Sequence, residues 1–184
     1  MPCFRLGRRY QTLLVGLLAT VMLWATLPQV AQASLHTYRE RPGQVTYRSR
    51  QSLRDYADRA WQAIAFKRLQ GEVLQGIYLR LVGFPGAVRV DRQQPIVLLA
   101  PTGQQWQLAW EVDPQTQALP DSVGQYDLQP FLANLSHALP LEMQIPLDGM
   151  PVADVRIAPF IVAEWLQVKT ANDSPSPVVP TLGK

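Results

Sequence analysis

The chain has 184 residues, of which 47% are hydrophobic, and its 17 basic and 14 acidic side chains give a net charge of +3. The three excess positive charges lie in the first 33 residues, so the rest of the chain is neutral and gives no indication of binding to nucleic acid. The chain is long enough for one domain with its own core.

The first 33 residues have the pattern of a secretory signal peptide. Three arginines precede an apolar stretch over 13–27, and the small residues Ala31 and Ala33 follow it. A membrane-spanning helix needs roughly 20 apolar residues, and this stretch has only about 15. We therefore predict cleavage after Ala33 and export, with an uncleaved membrane anchor as the alternative.

Loss of the leader removes Cys3, the one cysteine of the chain. The exported form then has no disulfide, no thiolate nucleophile and no cysteine-based metal site. His36 and His137 lack further ligands at metal-binding spacing, and no nucleotide-binding or hydrolase motif occurs. We expect no metal, no cofactor and no catalytic activity.

Without the leader the chain is neutral, but its charge is unevenly distributed. Residues 34–92 carry 11 basic and 5 acidic side chains, whereas residues 93–184 carry 3 basic and 9 acidic ones. The halves are therefore +6 and −6. They either complement each other within one fold or leave a basic face that docks a partner.

The first half of the exported chain is typical of strands separated by turns. Period-two alternation predicts three strands here, over 44–54, 61–69 and 77–81. On the second of them we expect Ile64 and Phe66 to face inward.

Shorter segments follow. We predict strands over 88–91, 95–100 and 106–112, and a loop over 113–125.

The clearest helical pattern begins at Asp127, which we predict as the N-cap. Apolar residues recur at helical spacing over 128–139, and Pro140 stops the helix. His137 is then expected at the helix end, where a partly charged imidazole offsets the helix dipole.

The last third begins with a predicted hairpin of strands 141–147 and 153–157 around Asp148-Gly149. The segment 159–168 fits both a helix and a strand, and the proline at its start favours the helix. Residues 171–184 are rich in proline and serine and predict a disordered tail.

These elements predict a single β-rich domain over 34–170. The fold class is mainly β, an antiparallel β-sandwich or open barrel of seven or eight strands with one or two short helices. An α+β layer with helices on one face is the alternative.

Four stretches of the chain resemble an uncharacterised family of exported cyanobacterial proteins, classed only as a domain of unknown function. They are Gly43–Arg54, Leu81–Gly86, Val123–Leu128 and Pro159–Trp165, and the likeness extends over residues 35–168. The resemblance implies export to the periplasm or thylakoid lumen of a photosynthetic bacterium, and it brings no activity, ligand or catalytic residue.

The strand over 44–54 places Arg48, Arg50 and Arg54 on one face, and Arg80 can join them from a nearby strand. Arginine forks bind carboxylates and phosphates with two hydrogen bonds. We interpret these four residues as a docking surface of a non-catalytic accessory protein, for an acidic protein surface or anionic lipid head groups at a membrane. A solvated face paired with the acidic half is the alternative.

Two other functions stay open. A small-ligand carrier would line its cavity with the tryptophans, which otherwise pack the core: Trp61, Trp106, Trp110 and Trp165. A hydrolase would use the cluster of Ser136, His137 and Asp127, although helical spacing puts the first two on different faces.

Overall fold

The computed structural model describes residues 36–112 and 118–171, which fall within one compact unit, Ala33–Lys184. The predicted leader with Cys3 lies outside the described residues. So does the predicted tail, except for its first residue, Ala171.

The described residues form nine strands and two short helices. The strands are β1 His36–Arg41, β2 Gln44–Arg54, β3 Ala60–Gln70, β4 Val73–Gly83, β5 Ile96–Leu99, β6 Gln105–Leu108, β7 Val123–Asp127, β8 Leu141–Ile145 and β9 Ala153–Ile157. The helices are α1 Gln129–Ala133 and α2 Pro159–Thr170.

The strands make two antiparallel sheets. The first sheet has the order β1-β2-β3-β4-β7 and the second has the order β6-β5-β8-β9. The predicted mainly β class is confirmed, and the sheets do not close into a barrel.

Isolated backbone bridges join the two sheets. Asp55, just after β2, pairs with Val155 of β9, and the Tyr56 amide donates to the Asp154 carbonyl at 3.1 Å. Trp110, just after β6, pairs with Tyr126 of β7. The sheets are thus held together by backbone contacts as well as by their common core.

The hydrophobic core lies between the inner faces of the sheets and is completed by both helices. Its fully buried members include Trp61 and Leu81 of the first sheet, Leu98 and Met143 of the second, and Trp165 of α2. Burying such side chains contributes about 1.5–3 kcal/mol each for residues of leucine or methionine size. We refer to the face of the first sheet turned away from this core as its outer face.

Several predicted elements are confirmed. The segment 44–54 is β2 with the same bounds, and 153–157 is β9. The ambiguous segment 159–168 is helical and forms α2, which begins at Pro159.

The predicted orientation of β3 was wrong. Trp61, Ala63 and Ala65 face the core, and Ile64 and Phe66 lie on the outer face. Helix α2 packs against β2 and β3, and its Glu164 bonds to Ser49 and Gln51, the β2 partners of Ala65 and Ala63. The small alanines beside this contact leave room for the helix. The larger side chains are therefore displaced to the opposite face.

The predicted N-cap at Asp127 was also wrong. Asp127 is the last residue of β7, and Leu128 is the N-cap of α1. The Asp127 carboxylate still accepts a hydrogen bond from the Gln129 amide at 2.9 Å. Its role is a local turn contact that leads the strand into the helix.

Helix α1 is much shorter than the predicted 128–139. Lys169 of α2 donates through Nζ to the Leu132 carbonyl at 2.7 Å, and the backbone N–H of Asn134 donates to the Phe131 carbonyl at 3.2 Å. These contacts take up carbonyls that a longer helix would use. His137 is exposed beyond the helix and does not cap it.

Three further differences concern strands. The segment 88–91 forms an isolated bridge between Val90 and Leu147 instead of a strand. Strand β1 was not predicted, and β7 lies partly in the predicted loop 113–125. Both belong to the first sheet, where a long neighbouring strand supplies the hydrogen bonds that short or glycine-containing strands need.

Gly83 has no room for a side chain. A Cβ there would collide with Val88 Cγ2 and lie 3.1 Å from Trp61 Cζ3. We expect Gly83→Ala to lower the free energy of unfolding by about 1–3 kcal/mol through overpacking. Urea denaturation measures this, and adding Val88→Ala should recover part of the loss because the colliding methyl is gone. If the double variant loses the sum of the two single losses in free energy of unfolding, the two side chains do not collide.

Candidate functional site: an arginine face on the first sheet

The strand register places all four predicted arginines on the outer face of the first sheet. Arg48, Arg50 and Arg54 occupy alternate positions of β2. Arg50 pairs with Ile64 of β3, and Ile64 pairs with Arg80 of β4. Neighbouring strands are about 4.8 Å apart, so the Arg50 and Arg80 backbones are separated by about 10 Å.

Arg68 is a fifth member that the sequence analysis missed. It lies on β3 between Thr46 of β2 and Gly76 of β4, on the same face. We call the five residues the arginine face: Arg48, Arg50, Arg54, Arg68 and Arg80. The sequence could have indicated Arg68, because Phe66 and Arg68 are two residues apart and lie on one face of β3. That face is the outer one only if the alanines of β3 face the core.

Aromatic rings lie between the arginines. The Arg48 guanidinium sits 4.2 Å from the centre of the Tyr38 ring, and those of Arg68 and Arg80 sit 5.5 and 5.2 Å from the Phe66 ring. The Phe66 ring in turn packs on the Tyr78 ring, with ring centres 5.3 Å apart. Cation–π contacts of this kind are worth about 0.5–2 kcal/mol, and they restrict the directions in which the guanidinium planes point.

The arginines differ in how their charge is used within the protein. Arg80 donates through Nε and Nη2 to Gln125 Oε1 at 2.9 and 2.6 Å. Arg54 donates through Nη1 to the Asp58 carboxylate at 3.0 Å, and both side chains are exposed. Arg50 is exposed and has no ion pair among the described residues. Arg50 and Arg54 are therefore the members most accessible to a partner.

The β7 edge of this face is acidic. Burial raises the pKa of the Tyr78 hydroxyl, and the nearby carboxylates of Glu111 and Asp127 raise it further, against the opposing effect of Arg68. Two carboxylates therefore lie near this edge, whereas three of the five arginines lie on β2.

The opposite face of β2 holds a buried carboxylate that the sequence analysis did not single out. Glu164 of α2 accepts hydrogen bonds from the Ser49 hydroxyl and from Gln51 Nε2, the latter at 2.9 Å. Lys67 of β3 donates through Nζ to the carbonyls of Lys169 and Ala171, at 3.0 and 2.7 Å. These polar contacts fasten α2 to the sheet, and burial lowers the pKa of Lys67.

The residues of the hydrolase alternative are not assembled into a triad by any contact in the described residues. Ser136 Oγ lies 3.1 Å from His137 Nδ1, and both side chains are exposed. The Asp127 carboxylate instead contacts the Gln129 amide. Within 36–112 and 118–171, no carboxylate contacts the His137 imidazole, and such a contact is the element that a Ser–His–Asp site requires.

The tryptophans of the carrier alternative mostly fill space. Trp61 and Trp165 are fully buried, and Trp106 packs edge-to-face on Phe131 with ring centres 5.1 Å apart. Trp110 carries the Arg92 guanidinium 4.7 Å from its ring centre. This arrangement favours a packing role for these rings.

The parts of the chain described here contain no group of three or more His, Cys, Asp or Glu side chains placed to hold a metal ion. Neither α1 nor α2 is long and apolar enough to cross a lipid bilayer.

Comparisons with known proteins place the chain in a family. No curated protein and no solved structure matches it. The family model described as "Protein of unknown function (DUF3122)" matches residues 33–168, which is most of the chain, and the protein therefore belongs to this family.

Proposed function

We propose that the protein is an exported, non-catalytic accessory protein that docks an acidic surface of a membrane-associated protein through its arginine face. The observation that carries this proposal is the placement of five arginines on one sheet face, three of them held over aromatic rings. Carboxylates are the protein groups that match guanidinium forks in charge and geometry.

A protein partner is favoured over lipid head groups because the guanidinium planes are held in place. The Tyr38 ring orients the Arg48 fork at the edge of the face, and an oriented fork rewards a carboxylate at a fixed position. Arg68 is buried and Arg80 is bonded to Gln125, so these two contribute positive charge behind the exposed Arg50 and Arg54. Arginine is also one of the residue types that contribute most at protein interfaces. Mobile head groups gain little from such orientation, since they need mainly positive charge.

The leader supports the exported location. Residues 1–33 have a basic start, an apolar stretch and small residues at the predicted cleavage site. The family match begins at residue 33, so most of the leader lies outside the matched region. We propose cleavage after Ala33 and a location in the periplasm or thylakoid lumen of a cyanobacterium.

The test is the double variant Arg50→Glu/Arg54→Glu, in which both positions are exposed and reversal leaves the core intact. Tagged protein is purified from the native host together with its membranes, and the co-purifying protein is quantified. We expect at least a tenfold loss of the partner, which corresponds to about 1.4 kcal/mol. Unchanged recovery of membrane proteins would overturn the proposal.

The matched control is Arg89→Glu/Arg156→Glu, which changes the net charge equally. Arg89 lies between β4 and β5 and Arg156 on β9, so neither belongs to the arginine face. We expect this control to keep the partner. Vesicles of phosphatidylglycerol, free of protein, form a second arm. Binding to them with the same dependence on Arg50 and Arg54 would replace the protein partner with anionic lipid.

A further inference from the structure

An open groove of about 530 Å³ lies at one end of the arginine face. It is lined by the ends of β2 and β4 and the start of β3, including Ser52, Arg54, Ala60, Gln62, Val82 and Phe84. The even-numbered residues of these strands are outer-face positions. The groove therefore joins the arginine face on one side, and Leu53 and Trp61 of the inner face line its other side.

The groove combines one charged and one apolar wall. Arg54 stands on the β2 side, and Phe84, directly after β4, has 69% of its surface exposed. Val82 contributes a half-buried aliphatic surface to the same groove. An exposed phenylalanine beside a groove is a typical anchor point for an apolar side chain of a partner.

The dimensions suit an extended peptide. Arg48, Arg50 and Arg54 follow one another along β2, and six residues of strand span about 20 Å. In an extended peptide laid over the outer face, alternate side chains point to the sheet at intervals of about 6.6 Å. Carboxylates of the peptide then meet the arginines of β2, and a terminal ring that crosses the end of β3 reaches Phe84, two strands and about 10 Å away.

We infer that the groove and the arginines beside it bind an extended acidic segment of the partner that ends in an aromatic or large apolar side chain. This inference rests on the proposed function and specifies the partner's chemistry. Charge complementarity selects the acidic part, through Arg50 and Arg54. The exposed Phe84 ring selects the apolar end.

The probe is a fluorescein-labelled peptide with three glutamates alternating with serine and a phenylalanine at one end, together with the form carrying phenylalanine at the other end. A third peptide has serine in place of phenylalanine. Fluorescence anisotropy with the purified protein measures each dissociation constant. We expect at least one phenylalanine peptide to bind about tenfold more tightly than the serine peptide.

Two variants separate the parts of the site. Phe84→Ser should abolish the preference for phenylalanine, whereas Phe160→Ser, a similarly exposed ring on α2, should preserve it. Arg50→Glu/Arg54→Glu should weaken all three peptides at least tenfold.

Three outcomes would overturn the inference. The first is equal binding of the three peptides, and the second is no binding of any of them. The third is self-association of the protein that Phe84→Ser abolishes, because the groove would then receive a second copy. Each of these leaves the proposed function standing if the arginine variant still loses its membrane partner, so the two failures are distinguishable.

Discussion

Replacing Asp55 by asparagine should lower the free energy of unfolding by about 2–4 kcal/mol, because it breaks a buried network around one carboxylate. Asp55 Oδ1 accepts hydrogen bonds from the amides of Ala57 and Arg59 at 3.0 and 2.9 Å. Its Oδ2 accepts from Arg59 Nε and Trp61 Nε1 at 2.7 and 3.0 Å. In Asp55→Asn the side-chain NH₂ would replace Oδ2 and would face two hydrogen-bond donors, Arg59 Nε and Trp61 Nε1.

The position of Asp55 magnifies the expected loss. Its backbone bridges to Val155, so the same residue shapes the β2–β3 turn and joins the two sheets. Trp61, one of its donors, is fully buried in the core. Loosening the turn therefore disturbs the core and the junction between the sheets together.

Guanidinium denaturation of Asp55→Asn measures the effect, and Asp58→Asn is the control in the same turn. Asp58 has φ +61°, which asparagine tolerates, and its ion pair with Arg54 is exposed. We expect the control to change the free energy of unfolding by less than about 1 kcal/mol. Equal losses in the two variants would show that the Asp55 carboxylate has no special role.

The difference between wild type and Asp55→Asn should also depend on pH. Burial raises the pKa of the Asp55 carboxyl, but the hydrogen bonds from Trp61 and Arg59 outweigh it and hold that pKa below its usual value. A carboxyl with a lowered folded-state pKa stabilises the fold above its unfolded pKa of about 3.9. The difference should be constant at neutral pH and shrink as the pH falls below about 4 toward the folded value. A difference that grows on acidification would contradict this.

Local pattern predicts those elements of this fold whose two faces differ in chemistry. In β2, arginines alternate with uncharged residues, and its bounds are those predicted. In β9, Val155 and Ile157 alternate with Asp154 and Arg156, and the strand is again as predicted. Period-two alternation of this kind predicts both the strand and which of its faces is buried.

The orientation of β3 could not be predicted from local pattern. Both of its faces carry apolar side chains, so hydrophobicity alone favours the larger Ile64 and Phe66 as core residues. The deciding factor is α2, which comes about 90 residues later in the chain and packs where Ala63 and Ala65 leave room. The long apolar pattern after Asp127 fails for a similar reason, since its leucines reach the core from irregular backbone.

The candidate site was predictable to the same extent. Arg48, Arg50 and Arg54 follow from alternation within one strand, and Arg80 follows from its own strand. The rings that orient these arginines come from neighbouring strands, Tyr38 on β1 and Phe66 on β3. Cross-strand register is a property of the folded sheet. The pattern within one strand therefore predicts the arginines but not the aromatic rings beside them.

The largest loss of stability is expected at Trp165 of α2. Its side chain is fully buried, and its ring stands edge-on to Phe131 with ring centres 6.4 Å apart. Phe131 also contacts Trp106, so three rings connect α2, α1 and β6. Trp165→Ala should lower the free energy of unfolding by about 3–5 kcal/mol, the range for deleting a buried aromatic side chain.

Two variants of the same helix make this prediction specific. Trp165→Phe should cost less than the alanine variant, because the indole Nε1 has no hydrogen-bond partner among the described residues and its loss is one of volume alone. Phe160→Ala removes a ring that is 57% exposed and should change the free energy of unfolding by at most about 0.5 kcal/mol. A loss below about 1 kcal/mol in Trp165→Ala would mean that α2 does not anchor the core.

Trp165→Ala also tests the separation between stability and docking in this sheet. Helix α2 packs on the inner face of β2 and β3, and the arginine face lies on the other side of the same strands. Under conditions where the variant is still folded, it should keep the membrane partner that we propose, in the purification described for Arg50→Glu/Arg54→Glu. The arginine variant should show the reverse, with a nearly unchanged free energy of unfolding and a lost partner, because exposed charges contribute only about 0–1 kcal/mol each to stability.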